Sequence, residues 1–313
     1  MPDRTVVSVG DRELSLSNLD KVLYPHTGTT KAQIIDYHVK VAPHLLTHLS
    51  GRPITLKRYP DGVDGEFFYE KNCPTHRPTW VRTVEVPTEG SGRWGRAQRS
   101  GATIDFCLID DLATLVWVAN LASLELHPYL HTAADLDRPT TVVFDLDPGA
   151  PAGLLACGRV ALRLRELFDR LDLRTVVKTS GSKGMQVYLP LNTPTTYART
   201  TPFAQAVAQL LEREQPRQVT ANMSKQQRGG KVFVDWSQNN RHKTTVGAYS
   251  LRARGRPTVS TPLSWEEVEA VVDGGDANAL VFEYDEVLRR TARLGDLFAP
   301  AAELQQGLPT LAR

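Results

Sequence analysis

Apolar residues recur along the chain in two periods, one helical and one alternating, and the switching between them predicts a mixed α/β order. Residues 30–49 carry apolar side chains at helical spacing, with Thr30 placed as an N-cap and Gly51 just past the end. The next segment, RPITLKRYPDGVDGEFFYEK, sets β-formers around a Pro-Asp-Gly turn and predicts two strands joined by a hairpin-like loop. Residues 110–124 read as a mostly buried helix, ending in the polar anomaly Glu125-Leu126-His127-Pro128. TTVVFDL, at 140–146, has the pattern of a buried strand, and PGAPAG breaks it ahead of an amphipathic helix over 154–173. Strands TVVK and MQVYLPL flank the loop TSGSKG, and a helix follows at about 201–213. Strands KVFVDWS and AYSLRAR come next, separated by QNNRHKTTVG. Ser264 and Glu267 then form a capping-box pair opening the helix SWEEVEAVV. The remainder reads as helical and peripheral, which gives one domain over 1–295, built of two interlocked halves of about 1–130 and 131–295, with 296–313 as a tail.

Composition narrows the class more than it defines it. The 313 residues suffice for a large core, and no stretch approaches the roughly 20 apolar residues of a membrane span, so a cytoplasmic protein is expected. A net charge of +2 does not announce a nucleic-acid binder, so any such reading depends on local charge. The loop TEGSGRWGRAQRSG, at 88–101, supplies some: Arg93, Arg96 and Arg99 beside Trp94 predict an exposed, mobile, basic segment. Three widely separated cysteines, Cys73, Cys107 and Cys157, fit reduced structural thiols better than a disulfide framework. Cys73 and His76 have half the spacing of a zinc site, without a second pair to complete it.

Chemistry concentrates in four places. Asp145 and Asp147 stand two apart on a strand, so their carboxylates project from one face while Phe144 and Leu146 take the other. Two such acids repel unless a cation lies between them, and Mg²⁺ or Mn²⁺ prefers oxygen ligands. Asp235 ends a second apolar strand, with Ser237 and Gln238 beside it. Between these acids, TSGSKG has the composition of a phosphate cradle, with Ser180, Ser182, Lys183 and two glycines, though not the spacing of a Walker loop. Arg252 and Arg254 alternate on one expected strand face, and Arg228 adds a further positive charge.

In order, LSNLDKVLYP followed by TK, RPITLKRYPDG, FFYEK, ASLELH, VVFDLDP, TSGSKG, VDWSQN and SLRAR resemble the polymerase domain of bacterial ligase D, of the archaeo-eukaryotic primase superfamily. The resemblance spans roughly 14–272. It implies an α+β fold in which two β-sheets with flanking helices enclose a cleft, the three acids lying on its floor and holding two divalent cations, Mn²⁺ or Mg²⁺. It implies that Ser180, Lys183, Lys57, His127, Gln186, Arg228, Gln238, Arg252 and Arg254 form the nucleotide pocket. Lys21 and Lys31 resemble a pocket for the 5′-phosphate of gapped DNA, and Phe67 and Phe68 resemble aromatics that stack on bases; a regular strand would turn one of that pair into the core. Arg93 and Arg96 are added as DNA contacts.

Where the family pattern reads GSKGLH, this chain has Gln186 in place of histidine, a neutral amide that cannot become cationic. The implied function is template-dependent transfer from NTP or dNTP to a 3′ end, with ribonucleotide preference, in bacterial DNA repair near the nucleoid. No K-x-D-G ligase motif is recognisable, so sealing would fall to a separate DNA ligase, with end-binding repair proteins as partners. Two other readings compete: a non-catalytic DNA-end binding module, and a haloacid-dehalogenase-like phosphohydrolase prompted by FDLDPG.

Overall fold

The computed structural model describes residues 4–88 and 102–309. Two sheets organise it. In the first, Pro53–Arg58 pairs with Phe68–Glu70, Thr103–Leu108 and Ser123–Pro128, and Thr83–Pro87 extends the edge beyond Thr103–Leu108. In the second, the order is Val219–Thr220, Val232–Asp235, Thr141–Pro148, Met185–Pro190, Val176–Thr179 and Pro262–Leu263. All its neighbours are antiparallel except the first pair.

Local sequence explains most elements. Helix Lys31–Leu49 starts where expected: Thr30 accepts from the Gln33 amide while Gln33 reaches back to the Thr30 amide, a full capping box. Trp265–Gly274 begins in the same way on Ser264 and Glu267. The expected hairpin forms with Lys57 opposite Tyr69 and Arg58 opposite Phe68. On the strand Thr141–Pro148, Phe144 and Leu146 are fully buried. Phe144 packs on Phe168 of helix Leu154–Asp169, and Phe168 on Phe203 of helix Tyr197–Glu214. Helices therefore cover one face of the second sheet and leave the aspartate face to the cleft.

Several expectations change. The helix expected over 110–124 is shorter, Leu112–Asn120, capped by Asp111. After Ala122 takes φ 57° the chain enters the strand Ser123–Pro128. Leu124 and Leu126 face the core while Ser123, Glu125 and His127 face the other side, so the polar anomaly is a strand's period of two. AYSLRAR is not a strand: Tyr249 adopts φ 63°, and only Leu251 makes a bridge, to Val259. Cys73 and Cys107 are joined by a disulfide, their Cα atoms 5.0 Å apart across a sequence separation of 34. Spacing along the chain did not reveal this, because the Cys73 amide donates to Asp105 O and docks its loop beside the Cys107 strand. The bond leaves Cys73 unavailable to a metal, and Cys157 alone stays a buried free thiol among the described residues.

The segment from residue 296 is docked. Asp296 accepts from Tyr249 and pairs with His48, Phe298 is buried, and Gln306 bonds the backbone of Arg174, Pro190 and Leu191. No helix among the described residues is long and apolar enough to cross a membrane.

Candidate active site

The two sheets meet across a cleft of about 240 Å³ lined by His127 on one side and by Asp145, Asp147, Ser180, Lys183, Gln186, Gln238, Arg252 and Arg254 on the other. Strand register gathers the acids. Asp145 lies directly opposite Asp235 on the neighbouring antiparallel strand, and Asp147 is two residues along, so all three leave the sheet on one face. Asp145 is half-buried, Asp147 exposed and Asp235 buried.

Crowding shows in their protonation. Burial, then Asp147 and Asp235, push the Asp145 carboxyl up to about 7, although Gln186 and Lys178 pull it down. Asp147 is also raised, by burial and by Asp235, against the opposing pull of Arg228, Arg252 and Lys183. Such a face favours a cation, and its donors are hard oxygens suited to Mg²⁺ or Mn²⁺. Among the described residues no three His, Cys, Asp or Glu side chains already stand as a finished ligand cage. The Asp235 carboxylate is instead bonded to Ser237 N and Oγ and to Gln238 Nε2, at 3.0, 2.5 and 2.9 Å. Position and charge fit a divalent ion, with the Asp235 hydrogen bonds as the contacts to be rearranged.

The loop TSGSKG stands against this face through glycine. A Cβ on Gly184 would lie 2.1 Å from Leu146 O, and Gly181 has φ +67°. The loop amides of Ser182 and Gly184 are already spent on Ser180 Oγ, at 3.3 and 3.1 Å. The cradle thus offers the Ser180 hydroxyl proton and the exposed Lys183. Arg252 donates to Ser180 O at 2.7 Å and Arg254 to Ser182 Oγ, which fixes both guanidiniums beside the loop without a strand to carry them. Arg228 lies outside the cleft lining, over the Phe233 ring at 3.6 Å and bonded to Met223 O, yet close enough to act on Asp147.

Opposite the acids, Glu125 is the residue that sequence reasoning missed. It is 2% exposed. It accepts from His127 Nε2 at 2.9 Å and Ala253 N at 3.1 Å, and pairs with Lys57 at 3.6 Å and Arg252 at 3.4 Å. Burial raises its pKa, but His127, Arg252 and Lys57 outweigh that and bring it down to about 2. Burial lowers both His127 and Lys57, with Glu125 opposing in each case. The available signal was an acid inside an otherwise alternating strand. Lys178, fully buried and also missed, lies on the same face of the sheet two strands from Asp145.

A second cationic cluster lies on the first-sheet side. Lys31 is buried and donates to Ser17 O at 2.6 Å. Burial, Lys21 and Arg58 together lower its pKa to about 8. Lys21 pairs with Asp61 at 2.7 Å, and Arg58, not singled out in the sequence, pairs with Glu70 at 2.9 Å. Neither Phe67 nor Phe68 is core: they are 50% and 44% exposed. Phe67 lies just before the strand and holds Lys57 Nζ 4.2 Å from its ring centroid, while Phe68 lies against Arg58 at 5.0 Å, so cation–π contacts replace burial. Arg93 and Arg96 lie outside the described residues.

Comparison with known proteins agrees with this architecture. A family model described as LigD, primase-polymerase domain, matches residues 30–298. The multifunctional non-homologous end joining protein LigD of Mycolicibacterium smegmatis is 42% identical over 287 residues, covering 91% of this chain and 35% of that protein. The bifunctional non-homologous end joining protein LigD of Bacillus subtilis is 30% identical over 284 residues, covering 90% of this chain and 43% of its own length. The polymerase domain of Mycobacterium tuberculosis Ligase D, solved in complex with DNA, superposes with a TM-score of 0.82 at 40% identity, over 93% of this chain and 98% of that one.

Fold and site together define a primase-type nucleotidyltransferase domain of mixed α/β architecture. The chain belongs to the LigD primase-polymerase domain family. It spans about a third of the length of the mycobacterial relatives it matches. Membership sets aside the haloacid-dehalogenase-like reading of FDLDPG.

Proposed function

We propose that the chain extends a nucleic-acid 3′ end against a template, releasing pyrophosphate from NTP or dNTP, and fills short gaps whose far edge bears a 5′-phosphate. The observation that carries this reading is the single acid face formed by Asp145, Asp147 and Asp235, set against the cationic wall of Lys183, Arg252 and Arg254. Asp145, Asp147 and Asp235 would hold two divalent cations, Mn²⁺ or Mg²⁺, which would neutralise charge at the reacting phosphate and ease ionisation of the 3′-hydroxyl.

The other residues bind and orient. Ser180 Oγ, which already accepts two amides, has its proton left to donate to a phosphate oxygen. Lys183 adds a solvent-facing charge, and Arg252 and Arg254 grip the triphosphate from positions fixed by the loop itself. Glu125 presents Lys57 and His127 towards the same nucleotide, while Gln238 steadies Asp235 and Arg228 stands as counter-charge to Asp147. Phe67 and Phe68 offer exposed faces for base stacking. Lys31, crowded by Lys21 and Arg58, gains from a doubly charged terminal phosphate. Arg93 and Arg96 join the DNA contacts. Resemblance to the family supports ribonucleotide preference and manganese activation. Sealing by a ligase activity and recruitment by end-binding proteins complete the repair in the bacterial cytoplasm, at the nucleoid.

The test is primer extension across a short gap, with and without the 5′-phosphate, comparing ribo- with deoxynucleotides and Mn²⁺ with Mg²⁺. Templated addition favoured by the phosphate is expected. Binding of gapped DNA with no extension under any condition would instead establish an end-binding module.

A further inference from the structure

Four residues line up across four neighbouring strands of the second sheet. Lys178 lies opposite Gln186, Gln186 opposite Asp145, and Asp145 opposite Asp235. Directly opposed residues share a face, so the row runs from a buried lysine, through an amide, to the paired acids at the cleft floor. Lys178 and Gln186 are 0% and 2% exposed. Lys178 Nζ donates to Gln186 Oε1 at 2.6 Å, to Ser260 Oγ at 2.6 Å and to Val246 O at 3.0 Å, which uses all three of its protons. Tyr188 also donates to Gln186 Oε1, at 3.1 Å, and is itself bonded to the Thr245 hydroxyl at 3.0 Å.

These contacts fix which way the amide points. Gln186 Oε1 accepts from both Lys178 Nζ and Tyr188 OH, so its NH₂ is the group left to face Asp145 on the neighbouring strand. The opposite rotamer would set NH₂ against two donors, Lys178 Nζ and Tyr188 OH. Gln186 lies directly opposite Asp145 on the neighbouring strand, and both line the cleft.

From this row we infer that Gln186, oriented by Lys178 and Tyr188, is a positioning residue for the metal-binding carboxylate of Asp145 and not a contact for the triphosphate. The inference rests on the reading of the three acids given above. It also accounts for the departure from histidine at this position. The row already contains a buried donor at Lys178, so the residue between it and Asp145 need only accept on one side and donate on the other. An amide does that whatever its surroundings' protonation. An imidazole does it in a single neutral tautomer.

The experiment separates metal from nucleotide. Mn²⁺ binding is titrated without nucleotide by the loss of the free-ion electron paramagnetic resonance signal, and nucleotide KM is then measured at saturating Mn²⁺. Gln186→Met is expected to weaken Mn²⁺ about 10- to 100-fold, as loss of an outer partner of a ligand does, and Gln186→His to restore most of the affinity. With Mn²⁺ saturating, nucleotide KM should stay within about threefold of the unaltered chain, a change near RT. Gln186→Met strands the buried Lys178, so Lys178→Met/Gln186→Met, which removes both polar partners, guards against misfolding and should weaken Mn²⁺ to the same extent. Unchanged Mn²⁺ affinity with a raised nucleotide KM overturns the inference. A chain that binds Mn²⁺ in a Gln186-dependent way but never extends a primer leaves this assignment intact and sinks the polymerase reading. Failure to bind Mn²⁺ at all sinks both.

Discussion

Replacing Asp145 with asparagine should stabilise the metal-free protein while abolishing its response to metal. Asp145 faces Asp235 across the strand pair with Asp147 on the same face, and its carboxyl is displaced from 3.8 to about 7. At ~1.4 kcal/mol per pH unit this caps the penalty of ionising it near ~4 kcal/mol. Solvent at the half-buried site and sharing of the strain among the acids reduce the expected gain to about 1–3 kcal/mol. The sign follows from a folded-state pKa above the unfolded value. The stabilisation from holding the proton is complete below about 4 and is lost as pH rises through about 7. Asparagine keeps the shape and cannot ionise, so Asp145→Asn should melt higher than the parent at pH 8, by roughly 2–8 °C, and close to it at pH 4. Calorimetry in a chelating buffer at the two pH values measures this, and a second pair of scans with Mn²⁺ should raise the parent and leave the variant nearly unmoved. A variant that melts lower at pH 8, or by the same margin at both pH values, would refute the reasoning.

Three further outcomes follow from other parts of the site. Glu125→Gln strands Lys57 and Arg252, and should destabilise by about 2–4 kcal/mol at pH 7 in denaturant titrations. Because the Glu125 pKa is depressed to about 2, that loss should shrink only as pH falls below the ordinary carboxylate range towards 2. Gly184→Ala drives a Cβ into Leu146 O and displaces the cradle, so steady-state kinetics should show kcat/KM down about 100-fold with only ~1–3 kcal/mol lost in stability. Lys31, with its pKa lowered to about 8, should make the preference for a 5′-phosphorylated gap decline as pH rises through 8 in competition binding, and Lys31→Ala should reduce that preference about tenfold at pH 7.

How much of this was legible in the sequence depended on how local the cause was. Thr30 and Ser264 cap their helices with residues three positions away, so both starts could be read directly. The shared face of Asp145 and Asp147 follows from strand alternation alone. Asp235 joins them only through register between strands some ninety residues apart, for which the ordered family motifs were the substitute. Glu125 was visible as a polar anomaly, but helical periodicity was carried one turn too far past Asn120, and the left-handed Ala122 that ends it leaves no compositional mark. The Cys73–Cys107 bond, the burial of Lys178 and the loss of a strand at Tyr249 are all products of tertiary packing. Phe67 and Phe68 escaped the expected division between core and surface because Lys57 and Arg58 cover one face of each ring.

If the acid face of the second sheet transfers nucleotides, Asp147 offers the most direct test, being exposed. Incorporation of a labelled nucleotide opposite a defined template base, in a gapped duplex with Mn²⁺, should proceed with the unaltered chain and follow the template. Asp147→Ala should fold and bind the same DNA but lose at least about 100-fold in rate, the scale of removing a group that stabilises transition-state charge. Extension at an undiminished rate by Asp147→Ala would contradict the account.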